Sequence, residues 1–160
     1  MKKFLKLFTF LVLLLPFMAQ AQILEPVQWT VETEKLSKNE YNIVFKAEIE
    51  NGWHLYSQNT PIGGPMPLYF DFVEVVGAER IGEVVEPEVT IAYNDVFEID
   101  EHFFEKEAIF KQTVKLLEGS ATISGAITGQ ACKESCVQLA YDFEVQLGEP
   151  AVIEDASEKA

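Results

Sequence analysis

With 160 residues, 48% of them hydrophobic and 24% charged, the chain has enough apolar material for one domain with its own core and too little length for two. Acidic residues outnumber basic ones by 26 to 12, a net charge of −14. That argues against nucleic acid or an anionic membrane as the partner, because both attract basic surfaces, and the acidity itself reads as a solubility feature.

Lys2, Lys3 and Lys6 precede an apolar stretch from Leu7 to Phe17, and Ala19-Gln20-Ala21 forms an A-x-A pattern. This is the build of a secretory signal over residues 1–21, with cleavage expected before Gln22 and export to the periplasm. The apolar run is shorter than the roughly 20 residues a spanning helix needs. Loss of the three lysines would take the net charge from −14 to −17.

From there the apolar period is two. Strands are expected at Val27 to Glu34 and at Tyr41 to Ile49, where Tyr41, Ile43, Phe45, Ala47 and Ile49 alternate with mostly polar neighbours, Val44 excepted. Further strands are expected at Trp53 to Ser57, Leu68 to Val76, Glu79 to Val85, Val96 to Ile99, Ala108 to Leu117, Ala121 to Ala131 and Val137 to Leu147. In the last of these, Val137, Leu139, Tyr141, Phe143, Val145 and Leu147 alternate with polar residues and Ala140. Asn51-Gly52 and Glu118-Gly119-Ser120 look like hairpin turns. Pro61 to Pro67 must be a loop, since so many prolines and glycines cannot hold a ladder of hydrogen bonds. Seven or more short strands with such turns predict an all-β, immunoglobulin-like two-sheet antiparallel sandwich. The acidic stretch 148–160 is expected to be a disordered tail beyond a domain at 22–147.

Only two cysteines are present, Cys132 and Cys136, with Lys133, Glu134 and Ser135 between them. The flanking strands place the pair at the closed end of a hairpin. Opposed Cα atoms there lie about 4.5–5.5 Å apart, within the reach of a disulfide. A three-residue turn usually wants a left-handed residue, a role that would fall to Ser135 with some local strain. By chain entropy a loop this short stabilises by only about 2 kcal/mol, so the bond is a weak staple. Two readings stand: a working redox pair, or a structural bond in a non-catalytic immunoglobulin-like binding module. Lys133 would favour a thiolate and Glu134 oppose it. His54 reads as a packed or surface histidine, His102 as exposed, Phe97, Trp29 and Trp53 as core. The histidines lack metal-ligand spacing relative to the cysteines, so neither metal nor other cofactor is expected.

The segments Gly52-Trp53-His54-Leu55-Tyr56-Ser57-Gln58, Gly63-Gly64-Pro65, Gly82-Glu83-Val84-Val85-Glu86-Pro87 and Phe110-Lys111-Gln112, followed by a cysteine pair after a strand, occur in an order that resembles the N-terminal periplasmic domain of the thiol:disulfide interchange protein DsbD. The likeness runs from about Val27 to Leu147. It departs from the family at the cysteines, which commonly have four or five residues between them and a proline pair after the second; here three intervene and Val137-Gln138-Leu139 follows. The resemblance implies a domain that relays electrons from a membrane-embedded thiol reductase to periplasmic thioredoxin-fold proteins, such as disulfide isomerases or the reductases of cytochrome c maturation. It implies that Cys136 attacks the partner and Cys132 resolves. It also implies a cap loop over the pair, for which Thr90 to Asp95 is the candidate, with Ile91, Tyr93 and Asp95 as its residues, Tyr93 covering the bond and Asp95 helping to move a proton.

Overall fold

A computed structural model describes residues 24–148. The signal segment and nearly all of the acidic tail therefore lie outside the described residues. Ten strands and no helix are found in that span: β1 (Val27–Lys35), β2 (Glu40–Ile49), β3 (His54–Tyr56), β4 (Tyr69–Val76), β5 (Ala78–Val85), β6 (Thr90–Asn94), β7 (Ile99–Phe104), β8 (Glu107–Leu116), β9 (Ser120–Cys132) and β10 (Cys136–Gly148). They form two antiparallel sheets, one ordered β1-β2-β8-β5 and the other β10-β9-β3-β7-β6 with β4 also paired to β9. This is the immunoglobulin-like sandwich that the alternating pattern predicts.

The alternation is the cause of the layering. Ile43, Phe45, Ala47 and Ile49 on β2 face inward, as do Phe110 and Val114 on β8. From the second sheet, Ile123, Ile127 and Ala131 on β9 and Phe143, Val145 and Leu147 on β10 meet them. Aromatic edges lock the layers: Phe45 lies 4.9 Å from Phe143 and 5.2 Å from Phe70, ring centre to ring centre. Gly125 allows β4 to approach β9 at its bulge between Phe72 and Glu74. A Cβ there would sit 2.0 Å from the Asp71 carbonyl oxygen.

Three local expectations are corrected. Asn51-Gly52 does turn the chain, with Trp53 N–H donating to the Glu50 carbonyl at 3.0 Å and Gly52 at φ 82°. It joins β2 to β3 in the opposite sheet, however, and is not a hairpin; the same holds for Glu118 to Ser120 between β8 and β9. Turn chemistry is local, whereas the choice of partner strand is made by the packing of the two sheets. The strand expected at Val96 to Ile99 is instead largely the tip of the β6–β7 hairpin. Asn94 Oδ1 accepts from the N–H groups of Val96 (2.8 Å) and Phe97 (3.2 Å), and Glu98 adopts a left-handed φ of 57°. A side-chain acceptor that mimics the backbone in this way stops a strand. His102, expected to be exposed, is half-buried on β7, where its backbone carbonyl accepts from Ser57 N–H at 2.9 Å.

Two polar clamps tie the loops down. Glu86, just past β5, accepts from Ser57 Oγ (2.7 Å), Gln58 N–H (3.0 Å) and Asn59 Nδ2 (2.7 Å), which fixes the exit of β3. Gln112 is fully buried on β8. Its Nε2 donates to the Ile81 and Thr113 carbonyls at 3.2 and 2.8 Å, filling the gap where the β5–β8 register shifts. Glu86→Ala would strand the buried Ser57 hydroxyl and should cost about 1–3 kcal/mol in urea unfolding; an unchanged midpoint would show that the clamp contributes nothing.

Candidate functional site

Strand pairing builds the site row by row. Opposed residues in an antiparallel ladder carry their side chains on the same face. Cys136 is opposite Cys132 across β10 and β9, and Cys132 is opposite His54 across β9 and β3. One row further along, Tyr56 is opposite Phe103 across β3 and β7. Cys132 and Cys136 are joined by a disulfide with Cα atoms 4.0 Å apart. Cys132 is 8% exposed and packs with Tyr56 and Phe103, whereas Cys136 is exposed. Ser135 does not adopt a left-handed φ, so the strain expected there is absent from the turn's backbone. The turn is instead closed by Lys133 N–H donating to the Ser135 carbonyl at 3.1 Å.

The disulfide forms one wall of a cleft of about 570 Å³. The tip of the β6–β7 hairpin forms the opposite wall, and Tyr93 and Asp95 line it. Ile91 is 58% exposed and is not part of the lining. Phe97, expected in the core, is 40% exposed and lines the cleft. The Asn94 turn lifts it out of the sheet to a place near Gly64 of the Pro61–Pro67 loop, where a Cβ on Gly64 would come within 3.6 Å of the Phe97 ring. Tyr93 is itself 61% exposed, so the hairpin tip overhangs the cleft without sealing it.

The electrostatics are lopsided. Lys133 is the one cation of the lining, against the carboxylates of Asp95, Glu101 and Glu134. Its ammonium is tethered by the Asn51 carbonyl at 3.3 Å, and its stem lies over Gly52. Glu101 is 5% exposed and accepts a hydrogen bond from Tyr56 Oη at 3.4 Å. Burial first, then the Glu101 charge and hydrogen bond, push the Tyr56 hydroxyl well above the usual phenol range. Tyr56 therefore stays protonated in the fold when the unfolded chain loses its proton. Folded-state stability should be intact below about pH 10, the ordinary tyrosine value, and decline as pH rises beyond it. Tyr56→Phe should flatten that alkaline decline in urea titrations; an identical slope in the variant would exclude Tyr56 as its source.

Sequence reasoning missed Glu101 and Tyr56 as neighbours of the cysteines. The signal for Glu101 was the alternation within Ile99–Phe104, which puts Glu101 and Phe103 on one face and Asp100 and His102 on the other.

A family model for the N-terminal domain of the thiol:disulfide interchange protein DsbD matches residues 20–148. The chain belongs to the DsbD N-terminal family. Two solved structures are similar to this DsbD-type domain. The N-terminal periplasmic domain of ScsB from Proteus mirabilis superposes with a TM-score of 0.58 at 17% identity, over 76% of this chain and 47% of that one. This chain thus spans about half the length of the ScsB structure. The reduced DsbD N-terminal domain of Neisseria meningitidis has a TM-score of 0.48 at 14% identity, over 76% of this chain and 86% of that one. No curated protein matches the chain. The family is described by its thiol:disulfide interchange protein, and this member carries a bonded cysteine pair.

Proposed function

We propose that this domain works in the periplasm as an electron relay through Cys132 and Cys136. It takes electrons from a membrane-embedded thiol reductase and passes them to thioredoxin-fold proteins, a disulfide isomerase or a reductase of cytochrome c maturation. The signal at 1–21 is removed before Gln22, the relay domain is 22–147, and the stretch 148–160 is a tail. Cys136 attacks the partner's disulfide, and Cys132 resolves the mixed disulfide. Tyr93, Asp95 and Phe97 on the hairpin tip act as the cap that a partner displaces.

The observation that carries this reading is the asymmetry of the bonded pair at the cleft: Cys136 is an exposed residue and Cys132 a buried one. Exchange requires a sulfur that a partner can reach and a second that can close on it. The bond also spans three residues, so breaking it costs about 2 kcal/mol or less of chain entropy.

The test is a redox titration of the exported chain against glutathione. The expected result is a reversible equilibrium at a potential above about −300 mV, whereas structural bonds typically lie below that value. Circular dichroism of the reduced form should retain the β spectrum. A potential below that limit, or unfolding on reduction, would return the bond to a structural role.

A further inference from the structure

The row that carries the two cysteines does not end at Cys132. His54 stands opposite it on β3. The imidazole is fixed on two sides: it stacks flat on Phe103, with ring centres 3.9 Å apart and planes 11° apart, and its Nε2 lies 3.3 Å from Glu105 Oε1. The ring and both cysteines share the cleft. Cys136, Cys132, His54 and Glu105 therefore follow one another across adjacent chain segments in the sequence attacking sulfur, resolving sulfur, imidazole, carboxylate. A nucleophile beside a base that is oriented by a third group is the recurring arrangement for activating a thiol.

We propose that His54, oriented by Glu105, removes the proton from the Cys132 thiol in the resolving step of the exchange. The inference rests on the relay reading above. The Glu105 carboxylate lies beside Nε2 at 3.3 Å and favours the proton on that nitrogen, which leaves Nδ1 as the basic one. In the reduced domain the Cys136 thiolate attacks one sulfur of the partner's disulfide. The Cys136–partner bond forms, the partner's S–S bond breaks, and its other sulfur leaves as a thiolate. Cys132 then gives its proton to His54 and attacks Cys136 Sγ. The Cys132–Cys136 bond forms, the Cys136–partner bond breaks, and the released partner thiolate takes up the proton from the imidazolium. Two electrons and one proton have passed from the domain's thiolate–thiol pair to the partner, whose first-released sulfur is left as the thiolate that Cys136 was at the start.

The need for a base follows from the surroundings. Cys132 is buried and shares its cleft with the carboxylates of Asp95, Glu101 and Glu134, and burial and nearby negative charge both disfavour a thiolate in general. The titratable and charged groups around His54 are Glu105, which touches the ring from the exit of β7, and those that share its cleft: Tyr56 from its own strand, Glu101 from β7, Lys133 and Glu134 from the cysteine turn, and Tyr93 and Asp95 from the hairpin tip. Of the carboxylates, Glu105 is the one in contact with the ring.

The experiment follows the single-turnover oxidation of the reduced full chain by hydroxyethyl disulfide. Acid quenching and mass spectrometry separate the mixed disulfide from the closed Cys132–Cys136 bond. Wild type should resolve with a rate that steps between about pH 5 and 8, where imidazoles titrate. His54→Phe keeps the stack on Phe103 and should resolve on the order of 10²-fold more slowly at pH 7, with the step gone. Glu105→Gln, an exposed change that leaves the core untouched, should give an intermediate rate. Resolution by His54→Phe at the wild-type rate and with the wild-type pH profile would overturn the inference while leaving the relay intact. If His54→Phe does not fold, a wild-type rate in Glu105→Gln would overturn it equally. A wild type that forms no mixed disulfide at all would bring down the relay reading itself.

Discussion

Cys132→Ser should accumulate a covalent adduct with an oxidised thioredoxin-fold protein, visible as a new band on non-reducing gels and abolished by dithiothreitol. The variant keeps the exposed Cys136 sulfur and loses the sulfur that would release the partner. Cys136→Ser should trap far less, because its remaining thiol is 8% exposed and packed against Tyr56 and Phe103. The difference is one of access, since exchange needs an in-line approach of one sulfur on another. Stronger trapping by Cys136→Ser would reverse the two roles. No trapping by either variant would remove the case for electron relay.

Phe45→Ala should destabilise the domain by about 3–5 kcal/mol, the ordinary cost of deleting a buried aromatic ring. Phe45 is fully buried on β2, and its ring meets Phe70, Phe72 and Phe143 from the other sheet. The cavity would open between the two layers, where neither sheet can shift to fill it without breaking its own ladder. Val73→Ala, at a residue 75% exposed on β4, should change stability by less than about 0.5 kcal/mol. Urea denaturation of the two variants measures both, and a cost below about 1 kcal/mol for Phe45→Ala would mean that the aromatic contacts are not what joins the sheets.

Much of this was legible in the residues. Alternation on β2, β9 and β10 located strands and inward faces, because a half-buried strand must repeat every two residues. The cysteine hairpin was legible for the same reason. The hairpin tip was not. Val96-Phe97-Glu98 reads as a β-favouring run, and only the Asn94 side chain, accepting two backbone N–H groups, turns it into a loop that lifts Phe97 into the cleft. His54 and Glu105 are 51 positions apart in the chain, and no local pattern joins them. Only the β3–β7 pairing does. The motif residues Ser57, Gln58, Glu86 and Gln112 in turn do not line the cleft; they hold the loops and the shifted register behind it. A family likeness carried by scaffolding residues identifies the frame with more assurance than the chemistry mounted on it.

The spacing of the bonded pair also bears on how the protein is made. The two cysteines are the only ones in the chain, so a single intramolecular partner exists for each. Loops of about ten residues close in 10–100 ns, long before strands thirteen residues long can find their register. Oxidation therefore has no wrong answer to correct, whether it precedes or follows assembly of the sandwich. Among these residues, folding therefore never has to choose between alternative intramolecular disulfides.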